Sequence, residues 1–181
     1  TAIRERRPWP QMFSEMMIGR DYIRQEKPAL AFLKSRAANL DDLTNDTSKL
    51  FFGVSINCAK CHDHPLVADW RQDHYFGMAS FFNRTTGGKG MIDEKKDGDV
   101  TFVSKTGRKT AAVMFLSGRV MAELPAAPQP TSRRALLVQA ALESKRRVVM
   151  ALELVQARHQ HVLTRYLSGS LSEERFLSEI E

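Results

Sequence analysis

Over most of this chain, apolar positions recur at the period of an α-helix. Between Pro8 and Gly19 the residues Met12, Phe13, Met16 and Met17 share one face of a short helix over 11–18, closed by the glycine. Their sulfur and ring content resembles a ligand box, but at this spacing they read as core. Pro28 opens a second helix over 29–37, with Leu30, Phe32 and Leu33 available for packing. Asn39 is a good N-cap, and Asp41 and Asp42 fall in the first turn, where the helix dipole favours acids. Leu43, Thr47, Leu50, Val54, Cys58 and Cys61 then recur at steps of four and three. That pattern predicts one helix ending near His62, with both thiols pointing into the core. Pro65 biases His64 out of helical geometry. A fourth helix is predicted over 71–83, with His74, Gly77, Met78 and Phe81 on one face.

The pattern changes after residue 84. Residues 85–99 are rich in glycine and lysine and read as a mobile surface loop. Gly87-Gly88-Lys89-Gly90 lacks the ending and the preceding strand of a phosphate-binding loop. Alternation over 100–103, a turn at 105–108 and a second apolar run at 111–116 predict a β-hairpin. Residues 125–130 form a stiff Pro/Ala linker. Thr131 or Ser132 caps a long helix reaching about Leu167, with an apolar stripe from Val138 to Tyr166. Arginines and lysines from Arg133 to Arg165 surround that stripe and read as a solvated face. Gly169 ends the helix, and Ser170 with Glu173 forms a capping box for a last short one. The stripe implies a partner, either the rest of this chain or a second chain. The architecture expected is mainly α: a helical domain over 1–124, a linker over 125–130 and a helical extension over 131–181, with one small β-hairpin.

Composition narrows the class. Hydrophobic residues make up 43% of the 181, enough for a core that does not depend on disulfides. The net charge of +6 is not gathered into a Lys/Arg run with interleaved aromatics, which argues against a nucleic-acid partner. No apolar run approaches the roughly 18 residues of a membrane span. Thr1 stands first and no signal peptide is present, so a processed form or a fragment is expected.

The chemistry concentrates in Cys58-Ala59-Lys60-Cys61-His62-Asp63-His64-Pro65, which holds both cysteines of the protein. Cys-x-x-Cys-His is the attachment pattern of a c-type haem: two thiols bond to the macrocycle and the histidine ligates the iron. His74 and Met78 are the candidate sixth ligands, and Gly77 between them would let a flat ring approach the backbone. Met91, Met114 and Met121 are further thioethers in reach of that role. Zinc held by Cys58, Cys61, His64 and His74 is the competing reading, as is a plain or redox-active cysteine pair. His159 and His161 project about 200° apart on a helix and are a poor metal pair.

The wider context of the motif resembles one family. Phe51-Phe52-Gly53-Val54 leads into the cysteines, and Trp70, Gln72-Asp73, Tyr75 and Ala79-Ser80-Phe81-Phe82 follow them. This is similar to the planctomycete-type cytochrome c-like domain, domain of unknown function fifteen-forty-nine, over about Trp9 to Arg134. The resemblance implies a secreted or periplasmic haem-binding protein, often joined to other cytochrome-like and carbohydrate-related modules. Cys58 and Cys61 fall on the thioether positions and His62 on the proximal ligand. His74 stands where the family pattern has a tyrosine, which favours Met78 or no sixth ligand. The expected function is electron transfer through covalent haem, with a redox partner protein, in an extracytoplasmic compartment. The alternatives are a zinc- or disulfide-stabilised binding module and a haem enzyme of peroxidase type.

Overall fold

The computed structural model describes residues 4–19, 24, 26–63, 67, 70–88, 91–122, 132–168, 170, 172 and 175. The chain is predominantly helical, with two small antiparallel hairpins, and divides into two compact units, Thr1–Ala141 and Leu142–Glu181. The expected linker over 125–130 lies outside the described residues. Among the described residues no helix is long and apolar enough to cross a membrane.

In the first unit, helix α1 (Trp9–Ile18) starts at Pro8 and stops at Gly19, as its sequence signals require. It buries Phe13 and Met17, so its methionine-rich stretch is core. A 3-10 turn at Lys27–Leu30 leads into α2 (Ala31–Arg36), and the two together occupy the predicted second helix. Helix α3 (Leu40–Phe52) is capped by Asn39, whose Oδ1 accepts from the backbone N–H groups of Asp41 and Asp42 at 3.0 and 3.3 Å.

Helix α3 then stops ten residues short of the expected end. Gly53 takes a left-handed conformation with φ 70°, and its N–H bonds back to Lys49 O. A glycine pays little for this conformation, and it is a frequent helix stop. Leu50, predicted to face the core, is 61% exposed. The four-three spacing that continues through Val54 to Cys61 therefore belongs to two separate elements, α3 and a 3-10 turn at Asn57–Lys60.

Helix α4 (Gln72–Ser80) packs on α3 and on that turn. The stretch expected to be a loop forms a hairpin, β1 (Thr85–Gly88) with β2 (Met91–Glu94). The second hairpin, β3 (Thr101–Ser104) with β4 (Gly107–Thr110), turns at Lys105-Thr106, so its return strand comes earlier than predicted. The core joins Phe13, Met17, Leu33, Leu43, Ile56, Tyr75, Met78, Phe81, Phe82 and Phe115 to Leu137. That last residue lies in α5 (Arg133–Leu167), which Ser132 caps by accepting from the Arg134 N–H at 3.2 Å.

Arg133 and Arg134, read as part of a solvated face, are buried at 3% and 6% exposure. Arg133 donates to Asp99 Oδ1 at 2.6 Å and to the carbonyls of Gly98 and Ser80. Its backbone N–H donates to Glu94 Oε1 at 2.7 Å, and Arg134 Nε lies 3.6 Å from Glu94 Oε2. Carboxylates at the end of β2 and in the stretch before β3 thus take up the charge at the start of α5.

In the second unit α5 continues to Leu167, and Ser168 and Ser170 fold back onto Arg165 O through their hydroxyls. Ser170 therefore closes this helix. Glu173, its predicted partner in a capping box, lies outside the described residues.

Candidate functional site

The cysteine motif sits on the 3-10 turn at Asn57–Lys60 and the residues that follow it. Ile56 and Ala59 are each 1% exposed and anchor the turn in the core. In so tight a turn the residues on either side of a buried one face outward. Cys58 and Cys61 are accordingly exposed and unpaired, and His62 and Asp63 are exposed as well. This corrects the expectation that helical phasing buries both thiols: Gly53 resets the phase five residues before the motif.

Backbone bonds close the turn, from the Ala59 N–H to Ile56 O at 3.0 Å and from the Cys61 N–H to Cys58 O at 3.4 Å. Three neighbours then hold it. Lys60, inside the motif, pairs with Asp41 of α3. The Tyr75 hydroxyl of α4 donates to the same carboxylate at 2.5 Å. Gln72, the first residue of α4, donates from Nε2 to Cys61 O at 3.1 Å and Lys60 O at 3.3 Å, while its N–H donates to Asp63 Oδ1 at 3.1 Å.

The electrostatics follow this geometry. Hydrogen bonds from Lys60 and then Tyr75 hold the Asp41 carboxyl below the usual carboxylate range. The same contact with Asp41 raises the Lys60 ammonium above its ordinary value. Burial, followed by the Asp41 carboxylate, pushes the Tyr75 phenol upward. The Lys60–Asp41 pair is about half exposed, so by itself it adds little stability. Its effect is to fix where the turn sits.

The His62 ring lies with Nδ1 2.8 Å from Asp63 O. A carbonyl only accepts, so Nδ1 carries the proton in that contact, and in the neutral ring Nε2 is the atom with the lone pair. That is the tautomer a metal-ligating imidazole needs. Free, exposed thiols and an imidazole with an available Nε2 fit the attachment end of a c-type haem.

The candidates for the opposite side of the iron lie elsewhere. Met78 is completely buried among core side chains. His74, the other candidate sixth ligand, is 7% exposed, and its Nδ1 accepts from the Arg71 N–H at 3.2 Å in the cap of α4. A Cβ added at Gly118 would stand 3.6 Å from His74 Nε2, so Gly118 lies near that nitrogen. Gly77, expected to admit a flat ring, admits Met114: a Cβ at Gly77 would lie 2.6 Å from the Met114 Cβ. Met114 and Met121 are buried, and Met91 is exposed at 63%.

Among the described residues no three His, Cys, Asp or Glu side chains gather as a metal site, so Cys58, Cys61 and His74 do not meet. His64, the fourth predicted zinc ligand, lies outside the described residues. His161 is exposed, and no side-chain position is described for His159. A cleft of about 240 Å³ opens beside the turn, between Asp63, Arg71, Gln72 and Asp73 and the β3–β4 hairpin residues Ser104, Lys105, Thr106 and Lys109. Phe102 also lines it, and its surface is about evenly polar and apolar.

The motif context quoted from the sequence was the signal for Gln72 and Tyr75, whose contacts with the turn only the fold reveals. No sequence signal marks Asp41 as more than a helix-capping acid. Compared with known proteins, residues 1–87 match the family model PSCyt2, described as protein of unknown function (DUF1549). The match takes in α1 to α4 and ends in β1, earlier than the motifs suggested. No curated protein and no solved structure matches the chain.

Proposed function

We propose, from the match of residues 1–87 to the PSCyt2 family model and their resemblance to cytochrome c-like domains, that this chain carries a covalent c-type haem and transfers electrons outside the cytoplasm. Cys58 and Cys61 are the attachment residues and His62 is the iron ligand. One observation carries the reading: a single turn presents two unpaired, exposed thiols beside an imidazole whose Nε2 lone pair is available.

When bound, haem supplies one-electron chemistry at iron, with a potential set by axial ligand and burial. The protein's own residues do the rest. Ile56 and Ala59 fix the turn in the core, so both sulfurs face a macrocycle arriving from outside. Asp63 O holds the Nδ1 proton of His62 and keeps Nε2 for the iron. The exposed setting of the turn leaves an edge for a redox partner protein. Haem attachment to Cys-x-x-Cys-His takes place outside the cytoplasm, which is the reason for the compartment.

The test is to produce the chain in a host with haem-attachment machinery, then record intact mass and the spectrum of the denatured protein. The expected result is the added mass of one haem, retained after denaturation and lost when Cys58 and Cys61 are both changed to alanine. A bare-chain mass with one zinc per chain would overturn the reading in favour of a zinc-bound interaction module.

A further inference from the structure

Gln72 makes three hydrogen bonds to the attachment turn and none of them is explained by α4 alone. Its Nε2 lies 3.1 Å from Cys61 O and 3.3 Å from Lys60 O. Both partners are carbonyl oxygens, which only accept, so the nitrogen of the side-chain amide has to face them. These carbonyls sit at the end of a 3-10 turn, where the backbone itself leaves acceptors without partners. The Gln72 N–H in turn donates to Asp63 Oδ1 at 3.1 Å, which caps the start of α4 with the residue following His62. The stretch from Lys60 to Asp63 is thereby fastened at three points to one residue of a neighbouring helix. On the other side, Asp41 grips Lys60, and Tyr75 supports Asp41.

We propose that Gln72 is a positioning residue for the attachment turn, holding Cys58, Cys61 and His62 in the outward arrangement that haem attachment requires. The proposal rests on the haem reading above and deepens it. The hydrogen bonds of Gln72 go to neither thiol nor imidazole. It acts through the carbonyls of Lys60 and Cys61 and through Asp63, which also carries the carbonyl that orients the His62 ring. A side chain of the same length without the two donors loses the tether. A carboxylate in its place sets like partial charges against both carbonyls.

The experiment compares the full chain with its Gln72→Met and Gln72→Glu variants. In protein made without haem, amide exchange over 57–63 is expected to quicken about tenfold, as for local opening. Exchange through local fluctuations in α3 is expected to stay as it is, and the melting midpoint to fall by no more than a few degrees. In a host with attachment machinery, the fraction of chain gaining one haem is expected to fall at least threefold for Gln72→Glu. Unchanged local exchange would overturn the role of Gln72. So would faster exchange with unchanged loading, or a lowered midpoint with exchange quickened equally in α3 and α4, which would mark a general stabiliser. Gln72→Met keeps the comparison decisive if the carboxylate prevents folding. Absence of any haem on the unchanged chain would sink the haem reading itself, a result separate from the exchange measurements.

Discussion

Gly77 stands where α4 packs tightly against Met114, and a single methyl group there has nowhere to go. Its Cβ would lie 2.6 Å from the Met114 Cβ and 3.2 Å from Met114 O, so backbone has to move. Gly77→Ala is expected to lower stability by about 1–3 kcal/mol, the usual range for overpacking a filled site. Chemical denaturation measures it, and an unchanged midpoint would show that α4 can shift freely. One turn-forming step later, Met78 is wholly enclosed. Met78→Ala is expected to cost about 2–5 kcal/mol through the cavity it leaves. The haem-loaded variant is expected to keep the absorption spectrum of the unchanged chain. Loss of a low-spin spectrum would instead place the Met78 thioether on the iron, with the core opened to release it. His74 is similarly engaged, by the Arg71 N–H at its Nδ1, with Gly118 near its Nε2.

At the scale of elements, two junctions decide how the parts meet. Gly53 ends α3 and frees residues 54–62 to turn outward. At the other end of the domain, the first turn of α5 is held by acids from β2 and the stretch before β3, with Glu94 serving both the Arg133 N–H and the Arg134 guanidinium. Burial lowers the Arg134 pKa from its ordinary value, and Glu94 opposes that shift. Glu94→Ala leaves a guanidinium 6% exposed without its counter-charge. Removing one partner of such a buried pair is expected to cost about 3–5 kcal/mol. Arg133→Met is expected to cost less, because its partner Asp99 is 54% exposed and returns to water. Equilibrium unfolding of the two variants checks this order, and equal losses would mean that Glu94 and Asp99 are interchangeable.

For the whole molecule, these charge contacts set a pH dependence. Asp41 is held low by Lys60 and Tyr75, and Asp99 by hydrogen bonding and attraction from Arg133 and then Arg84. A carboxyl depressed in the folded state contributes stability fully above its unfolded value of about 3.9 and loses it as pH falls through the folded value. The unfolded chain binds the extra protons in that window. Stability of the haem-free chain is therefore expected to fall on acidification below about pH 4. Asp41→Asn is expected to flatten the fall while lowering stability at neutral pH. Thermal unfolding from pH 7 to pH 3 tests this, and parallel curves for variant and unchanged chain would remove Asp41 as a contributor.

Local signals alone determined much of this protein. Pro8, Gly19, Asn39 and Ser132 mark helix ends that are decided within a few residues by φ preferences and cap hydrogen bonds. The Cys58–His62 spacing and the flanking Trp70, Gln72 and Tyr75 pointed to the family whose model residues 1–87 match, because a motif is carried by the letters and their order alone. Periodicity failed where a helical spacing crossed Gly53, since one left-handed residue rotates everything after it and the letters do not record the rotation. Hairpin β1–β2 escaped notice because its Gly-rich strand has no alternation to read. Burial of Arg133, Arg134 and His74 was equally illegible, for each depends on partners 34 to 53 residues away or on a covering loop. Only the tertiary structure decided that the thiols face outward, that Ile56 and Ala59 hold them there, and that Gln72 of another helix meets the carbonyls of their turn. Chain-distant contacts of this kind come from packing around a shared core, which no local pattern of residues specifies.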